Sequence, residues 1–244
     1  MIGLIATFLF LPALANSKPE YESKALIFCL HDVDGRGKYS LTSSELNRVL
    51  SILSSKFTLI SLKDWFEIIK RHERHSYKIA ILTFDDGYHS LRDKVIPLLK
   101  KYRAGATFFV YPDRHRDSSD FYTFLRQLPD EIEIGSHSMS HSDLDYVKDY
   151  SEPELRKFFK ETYVSKRKLE YLVKKPVISF AWPYGSYSIP LVNQAKYAGY
   201  SIQVSTDYKV ASSTKVKSIL PRFTLSQPDP VGQLQGILRD FTPQ

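Results

Sequence analysis

Residues 79–87 read IAILTFDDG. Ile79–Phe84 is an apolar run closed by polar turn residues, which predicts a strand buried on both faces. Such strands belong to parallel sheets with helices packed outside them, so this stretch points to an α/β architecture. Asp85-Asp86-Gly87 is good turn chemistry. Two adjacent carboxylates beside a buried strand nevertheless repel each other unless a cation is near. One of them can hold such an ion while its neighbour works as a base.

The same alternation continues on both sides. Ala25–His31 (ALIFCLH) is a second apolar run. Thr42 and Glu45 have capping-box spacing and open a helix. Phe57–Ile60 is a short strand, and Ser61 caps a helix to about Arg71. Beyond Gly87 a helix runs to about Tyr102, followed by strands at Ala106–Val110 and Ile132–Gly135. Pro153, at a tolerated first-turn position, begins the longest helix, to about Val173. Val177–Ala181 is a strand, and Ile189–Ala198 a helix stopped by Gly199. Ser201–Val204 and Ile219–Phe223 are strands, and Gly232–Phe241 a final helix. Seven to eight strands alternating with helices predict a distorted or incomplete (β/α) barrel, with a doubly wound open sheet as the alternative. Both folds place chemistry at the carboxyl ends of the strands.

Those ends carry polar residues. The first strand ends in His31-Asp32, the Ile79 strand in Asp85-Asp86, the Ile132 strand in SHSMSH (Ser136–His141), and the Val177 strand in WPYG (Trp182–Gly185). His137 and His141 are four apart; on a helical turn they would share a face and grip one ion. With Asp86 they make two imidazoles and one carboxylate, a set that leaves positions open for water and substrate, as catalytic zinc requires. The ligand types also allow cobalt, nickel or iron. His72 and His75 lie in a charged segment at the opposite end and read as solvated.

Composition sets the bounds. The 244 residues are 43% hydrophobic and 14% aromatic, enough for one sizeable core. Met1–Ala15 (MIGLIATFLFLPALA) has no charged side chain and ends small-x-small, as a secretory signal peptide cleaved before Asn16 does. It is too short for a stable membrane span. Residues 16–244 then form a single domain, exported to the periplasm or cell envelope. The lone cysteine, Cys29, allows no internal disulfide and reads as a buried small hydrophobe. The net charge of +7 suits anionic envelope polymers, and no nucleic-acid motif accompanies it. Oligomeric state is not legible.

TFDDGY (Thr83–Tyr88), SHSMSH (Ser136–His141) and FAWPYG (Phe180–Gly185) resemble, in order, the three motifs of the polysaccharide deacetylases, carbohydrate esterase family four. The resemblance covers nearly all of the chain after residue 15. It implies a distorted (β/α) barrel and metal-dependent removal of N-acetyl groups from an N-acetylglucosamine-containing polysaccharide, biofilm polymer or peptidoglycan. It makes Asp85 the base, and Asp86, His137 and His141 the ligands of a divalent metal, zinc first. Two departures stand out. The family's C-terminal Leu-x-His, source of a catalytic acid, is missing, but Cys29-Leu30-His31 looks like that motif moved to the N-terminus. This resembles the circularly permuted branch acting on poly-N-acetylglucosamine, and makes His31 the acid. Ala181 stands where the family has an arginine that orients the base. Arg222 is the candidate substitute, with Asp32 and, more weakly, Asp207 as further supporting partners. Trp182 and Tyr184 either wall the sugar or belong to the core, the Tyr184 backbone N–H is expected to hold the oxyanion, and Tyr88 and His89 to border the groove. Ala181 keeps open a catalytically impaired carbohydrate-binding protein. A glycoside hydrolase built on Asp85 would leave the histidine pair unexplained.

Overall fold

The structure is a computed structural model that describes residues 22–73, 78–144, 151–213 and 219–241. Residues 1–15, where the signal peptide is expected, and His75 lie outside them. In chain order the elements are β1 (Lys24–Leu30), β2 (Asp32–Val33), β3 (Ser40–Leu41), α1 (Ser43–Ser54), β4 (Thr58–Leu59), α2 (Leu62–Lys70), β5 (Ile79–Phe84), α3 (Ile96–Tyr102), β6 (Ala106–Val110), α4 (Ser119–Arg126) and β7 (Ile132–Ser136). Then come α5 (Glu152–Phe159), α6 (Ser165–Val173), β8 (Ser179–Ala181), α7 (Ile189–Tyr197), β9 (Ile202–Val204), β10 (Ala211–Ser212), β11 (Phe223–Thr224) and α8 (Pro230–Phe241).

β1, β5, β6, β7, β8 and β9 pair in that order, all parallel. The two sides of this curled sheet are stitched by one segment: Leu220 bridges Val204 of β9, and β11 pairs with β1 through Phe28 and Phe223. The result is the distorted (β/α) barrel that the alternation predicts, in a single domain. Its strands are continuous buried runs because both faces are covered. Leu26, Phe28, Leu82, Phe84, Phe108 and Ile134 face the outer helices. Ala25, Ile27, Ile79, Ile81, Phe109, Ala181 and Leu220 fill the interior with Leu62 and Trp65 of α2. Full capping boxes start α1 (Thr42/Glu45) and α2 (Ser61/Asp64).

Two local expectations need correction. The helix from Pro153 to Val173 is continuous but not uniform: α5 and α6 are joined by a π-turn at Lys160–Val164. A 3.6-residue periodicity does not reveal one inserted residue. His137 and His141 are not on a helical turn. The loop after β7 carries them, with Ser138 at φ 67° and His141 at φ 61°. A tight bend with left-handed residues also brings positions four apart together, so spacing alone could not tell the two apart.

Candidate active site

Each strand end contributes a fixed piece. β5 delivers Asp85, whose backbone N–H donates to Leu30 O of β1 at 2.8 Å. Asp86 follows in the left-handed region at φ 72° and Gly87 at φ 70°. A non-glycine residue there carries strain on the order of 1–3 kcal/mol, which the surrounding turn must hold. A Cβ on Gly87 would stand 2.8 Å from Val110 Cγ1, so the turn needs glycine for space as well as conformation. His115, buried and stacked on Phe121 with ring centroids 3.6 Å apart, fixes the turn by donating Nε2–H to Gly87 O at 2.6 Å.

β7 delivers the histidines. His137 N–H continues the ladder to Val110 O. Its Nδ1 lies 2.9 Å from Ala181 O. A carbonyl only accepts, so Nδ1 carries the proton and Nε2 presents a lone pair inward. The His141 backbone N–H donates to Ser138 Oγ at 2.9 Å, closing the loop. His137 Nε2 and His141 Nε2 then lie 3.5 and 3.2 Å from Asp86 Oδ1. That oxygen is buried and has no hydrogen-bond partner among the described residues. A buried acceptor without a partner is destabilising by about 1–3 kcal/mol, and a cation among these three atoms removes the penalty. Two imidazoles and a carboxylate are the ligand chemistry of catalytic zinc and related divalent ions. The residues therefore fit a divalent metal. Burial pushes His137 down to about 4, so it stays neutral and able to ligate. Burial alone would raise Asp86, but His141 and His137 outweigh it and hold the carboxyl below its usual range.

Asp85 is set by Arg222. This fully buried guanidinium makes a two-pronged bond to the carboxylate, Nη1 to Oδ1 at 2.7 Å and Nη2 to Oδ2 at 2.8 Å. It also donates to Thr83 Oγ1 and, through Nε, to Ser205 O, each at 2.8 Å. The Cys29 thiol adds a donor to Asp85 Oδ2 at 3.4 Å. Burial favours the neutral acid, but the Arg222 charge more than reverses this and holds Asp85 far below the carboxylate range. The ligand-type atoms of Cys29, His31 and Asp85 also converge within 4.8 Å. Arg222 occupies both Asp85 oxygens there, and its charge opposes a cation at that place.

His31 follows β1, on the strand end next to that of Asp85. Its Nδ1 is buried without a partner among the described residues, and its ring stacks on Tyr39 at 4.9 Å. Burial lowers its pKa, with Asp85 and Asp86 pulling the other way. Lys38, Tyr39, Tyr184, Thr206, Thr224 and Ser226 border the cleft.

Residues 72–202, more than half of the chain, match the polysaccharide deacetylase family. The chain belongs to that family. YxkH of Bacillus subtilis is 22% identical over 212 residues, 86% of this chain and 74% of its own length. A peptidoglycan-N-acetylglucosamine deacetylase of Bacillus cereus is 33% identical over 124 residues, 50% of this chain; the match spans about half of that relative (54%). The Streptococcus pyogenes deacetylase PplD, solved with acetate, shares the fold with TM-score 0.77 at 20% identity, over 91% of this chain and all of its own. His31 and Arg222 lie outside the matched segment, and the barrel brings both to it.

The remaining candidates separate by position. Trp182 lies at the floor of the cleft but is fully buried, donating Nε1–H to Gln203 Oε1 and stacking against Phe158, so its indole packs mainly into the core. Tyr184 is 66% exposed, has φ 58°, and sets its ring 4.7 Å from that of His141. Asp32 accepts from Ser90 Oγ and its neighbour Val33 N–H, which ties β2 to the start of the α3 region rather than to His31. Asp207 accepts from Tyr187 and Ser205 hydroxyls, not from Arg222. Tyr88 packs under Arg114, while His89 turns to His115 and Phe121, away from the cleft. His72 is exposed, as expected.

Proposed function

We propose that this chain is an exported, metal-dependent N-deacetylase of an N-acetylglucosamine-containing polysaccharide. The observation that carries the reading is the unpartnered Asp86 Oδ1 facing His137 Nε2 and His141 Nε2, beside a carboxylate that Arg222 keeps ionised. A divalent ion held by Asp86, His137 and His141, zinc first on ligand type, would polarise the acetyl carbonyl and acidify a bound water.

The chain's own residues supply the rest. Asp85 Oδ2, 3.9 Å from His137 Nε2, is the oxygen nearest the ligand cluster and accepts the proton of the attacking water. Arg222 makes Asp85 a weak but always available base and fixes its plane. The Tyr184 backbone N–H is assigned to the oxyanion, and the exposed Tyr184 and Tyr39 rings to the sugar faces. His31, at the neighbouring strand end, is assigned as the acid for the leaving nitrogen. A lowered imidazolium pKa makes it a readier donor, while Asp85 and Asp86 favour its charging. His31 on the strand beside the chain's last one supports the permuted order of motifs: adjacent strands of a barrel can exchange places in sequence without moving the site. Localisation at the cell envelope rests on the peptidoglycan-directed relative and on residues 1–15. No helix among the described residues is long and apolar enough to cross a membrane. The test is acetate release from a panel of N-acetylated glycans by the parent and by Asp85→Asn. The reading predicts release by the parent and loss with the metal retained in Asp85→Asn; equal release by both would overturn it.

A further inference from the structure

The loop between the two histidine ligands is held from outside the barrel by a residue that no motif contains. Glu161 lies in the π-turn joining α5 to α6. The widened turn points two successive residues inward, and both Glu161 and Thr162 are buried. Glu161 Oε2 accepts the backbone N–H groups of Met139 at 3.0 Å and Ser140 at 2.9 Å, and Oε1 accepts the Ser140 hydroxyl at 2.8 Å. Four residues on, Ser165 Oγ donates to Ser138 O at 2.7 Å and contacts Ser136 Oγ at 2.8 Å. The backbone between His137 and His141, with left-handed residues at 138 and 141, is thus fixed chiefly by this helix.

We propose that Glu161 is a positioning residue for the metal site, setting the separation and aim of His137 and His141 through the 139–140 backbone. The proposal rests on the metal reading above. Three bonds from one carboxylate to consecutive groups of a strained loop are charge-assisted and hold it in a single shape. An amide in its place can still accept both backbone N–H groups through its oxygen, but it loses the charge behind all three bonds, and its NH2 reaches Ser140 Oγ only if that hydroxyl turns to accept. Partners that orient metal ligands typically change metal affinity by roughly 10–100-fold when altered.

The test measures zinc affinity of the full chain by competition with a chromogenic chelator, together with the melting temperature of the chelated protein. The variants are Glu161→Gln, Ser140→Ala, and the two combined. Weakening of zinc binding by roughly 10–100-fold in Glu161→Gln, a smaller loss in Ser140→Ala, and a double variant no weaker than Glu161→Gln support the proposal. Unchanged zinc affinity in both single variants, with only a lower melting temperature, overturns it and leaves the metal reading standing. If Glu161→Gln does not fold, Ser140→Ala decides: weakened zinc binding supports, unchanged binding overturns. A parent chain that takes up no zinc overturns the metal reading and this proposal together.

Discussion

Replacing Arg222 with methionine is the sharpest perturbation of the base. Methionine fills similar space but removes the whole fork: both bonds to Asp85, the bond to Thr83 Oγ1 and the bond to Ser205 O. Asp85 is only 2% exposed, so its one face toward the cleft cannot replace both lost donors, and among the described residues Cys29 is the other side chain hydrogen-bonded to it. Breaking a fully buried pair by removing one partner is destabilising by about 3–5 kcal/mol. At roughly 2–4 °C per kcal/mol for a domain of this size, Tm of the chelated protein falls by about 6–20 °C. The loss has a pH signature. With Arg222 present the folded pKa of Asp85 is depressed, so its stabilisation is complete above the unfolded carboxylate pKa and is lost only in strong acid. Without Arg222 burial dominates and the folded pKa rises. Asp85 then adds stability below the unfolded pKa and forfeits it as pH rises through the new folded value. The gap between parent and Arg222→Met is therefore widest at alkaline pH and narrows toward pH ~4. Thermal melts across that range decide the matter. A Tm within experimental error of the parent, or a gap that does not depend on pH, would refute the assignment of Arg222 as the group that sets Asp85.

Other outcomes follow from the same geometry. Tyr184→Ala should raise KM for polymer with Tm unchanged, whereas Trp182→Ala should lower stability by about 3–5 kcal/mol, because only the first ring is exposed; steady-state kinetics and melts on both variants separate wall from core. Chelated protein should lose about 3 kcal/mol as pH falls from the unfolded histidine pKa to about 4, since His137 is held neutral when folded but charges when unfolded; denaturant titrations at successive pH values check this, and a His137→Gln variant should show a flatter profile. His115→Phe, which keeps the stack on Phe121 but deletes the donor to Gly87 O, should be destabilising by about 1–3 kcal/mol and slow acetate release by loosening the Asp85–Gly87 turn; unaltered release and Tm would remove His115 from the account.

What the chain reveals before folding follows from range. Ile79–Phe84 and Ala25–His31 are readable as strands because a parallel barrel buries both faces, and chemistry at strand ends then marks His31, Asp85, Asp86, His137 and His141. Arg222 was reachable by the same rule, since it sits beside β11. Residues that act across the fold leave no such mark. Glu161 is one acid in a lysine-rich helix, and its inward turn comes from a π-turn that sequence periodicity does not show. Cys29 reads as an apolar filler because its donor role depends on β1 lying next to β5. Trp182 lies within a motif and Asp32 beside His31, yet the indole packs into the core and the carboxylate turns to Ser90; position in sequence does not fix which way a side chain points.

The central claim is that Asp86, His137 and His141 hold one catalytic divalent ion. The most direct measurement is bound metal per chain alongside acetate release from an N-acetylglucosamine polymer, for parent, chelated and zinc-reconstituted protein. The account predicts one ion per active chain, loss of release when it is stripped, and recovery in proportion to zinc bound. Full acetate release by chain shown to be free of metal would contradict it.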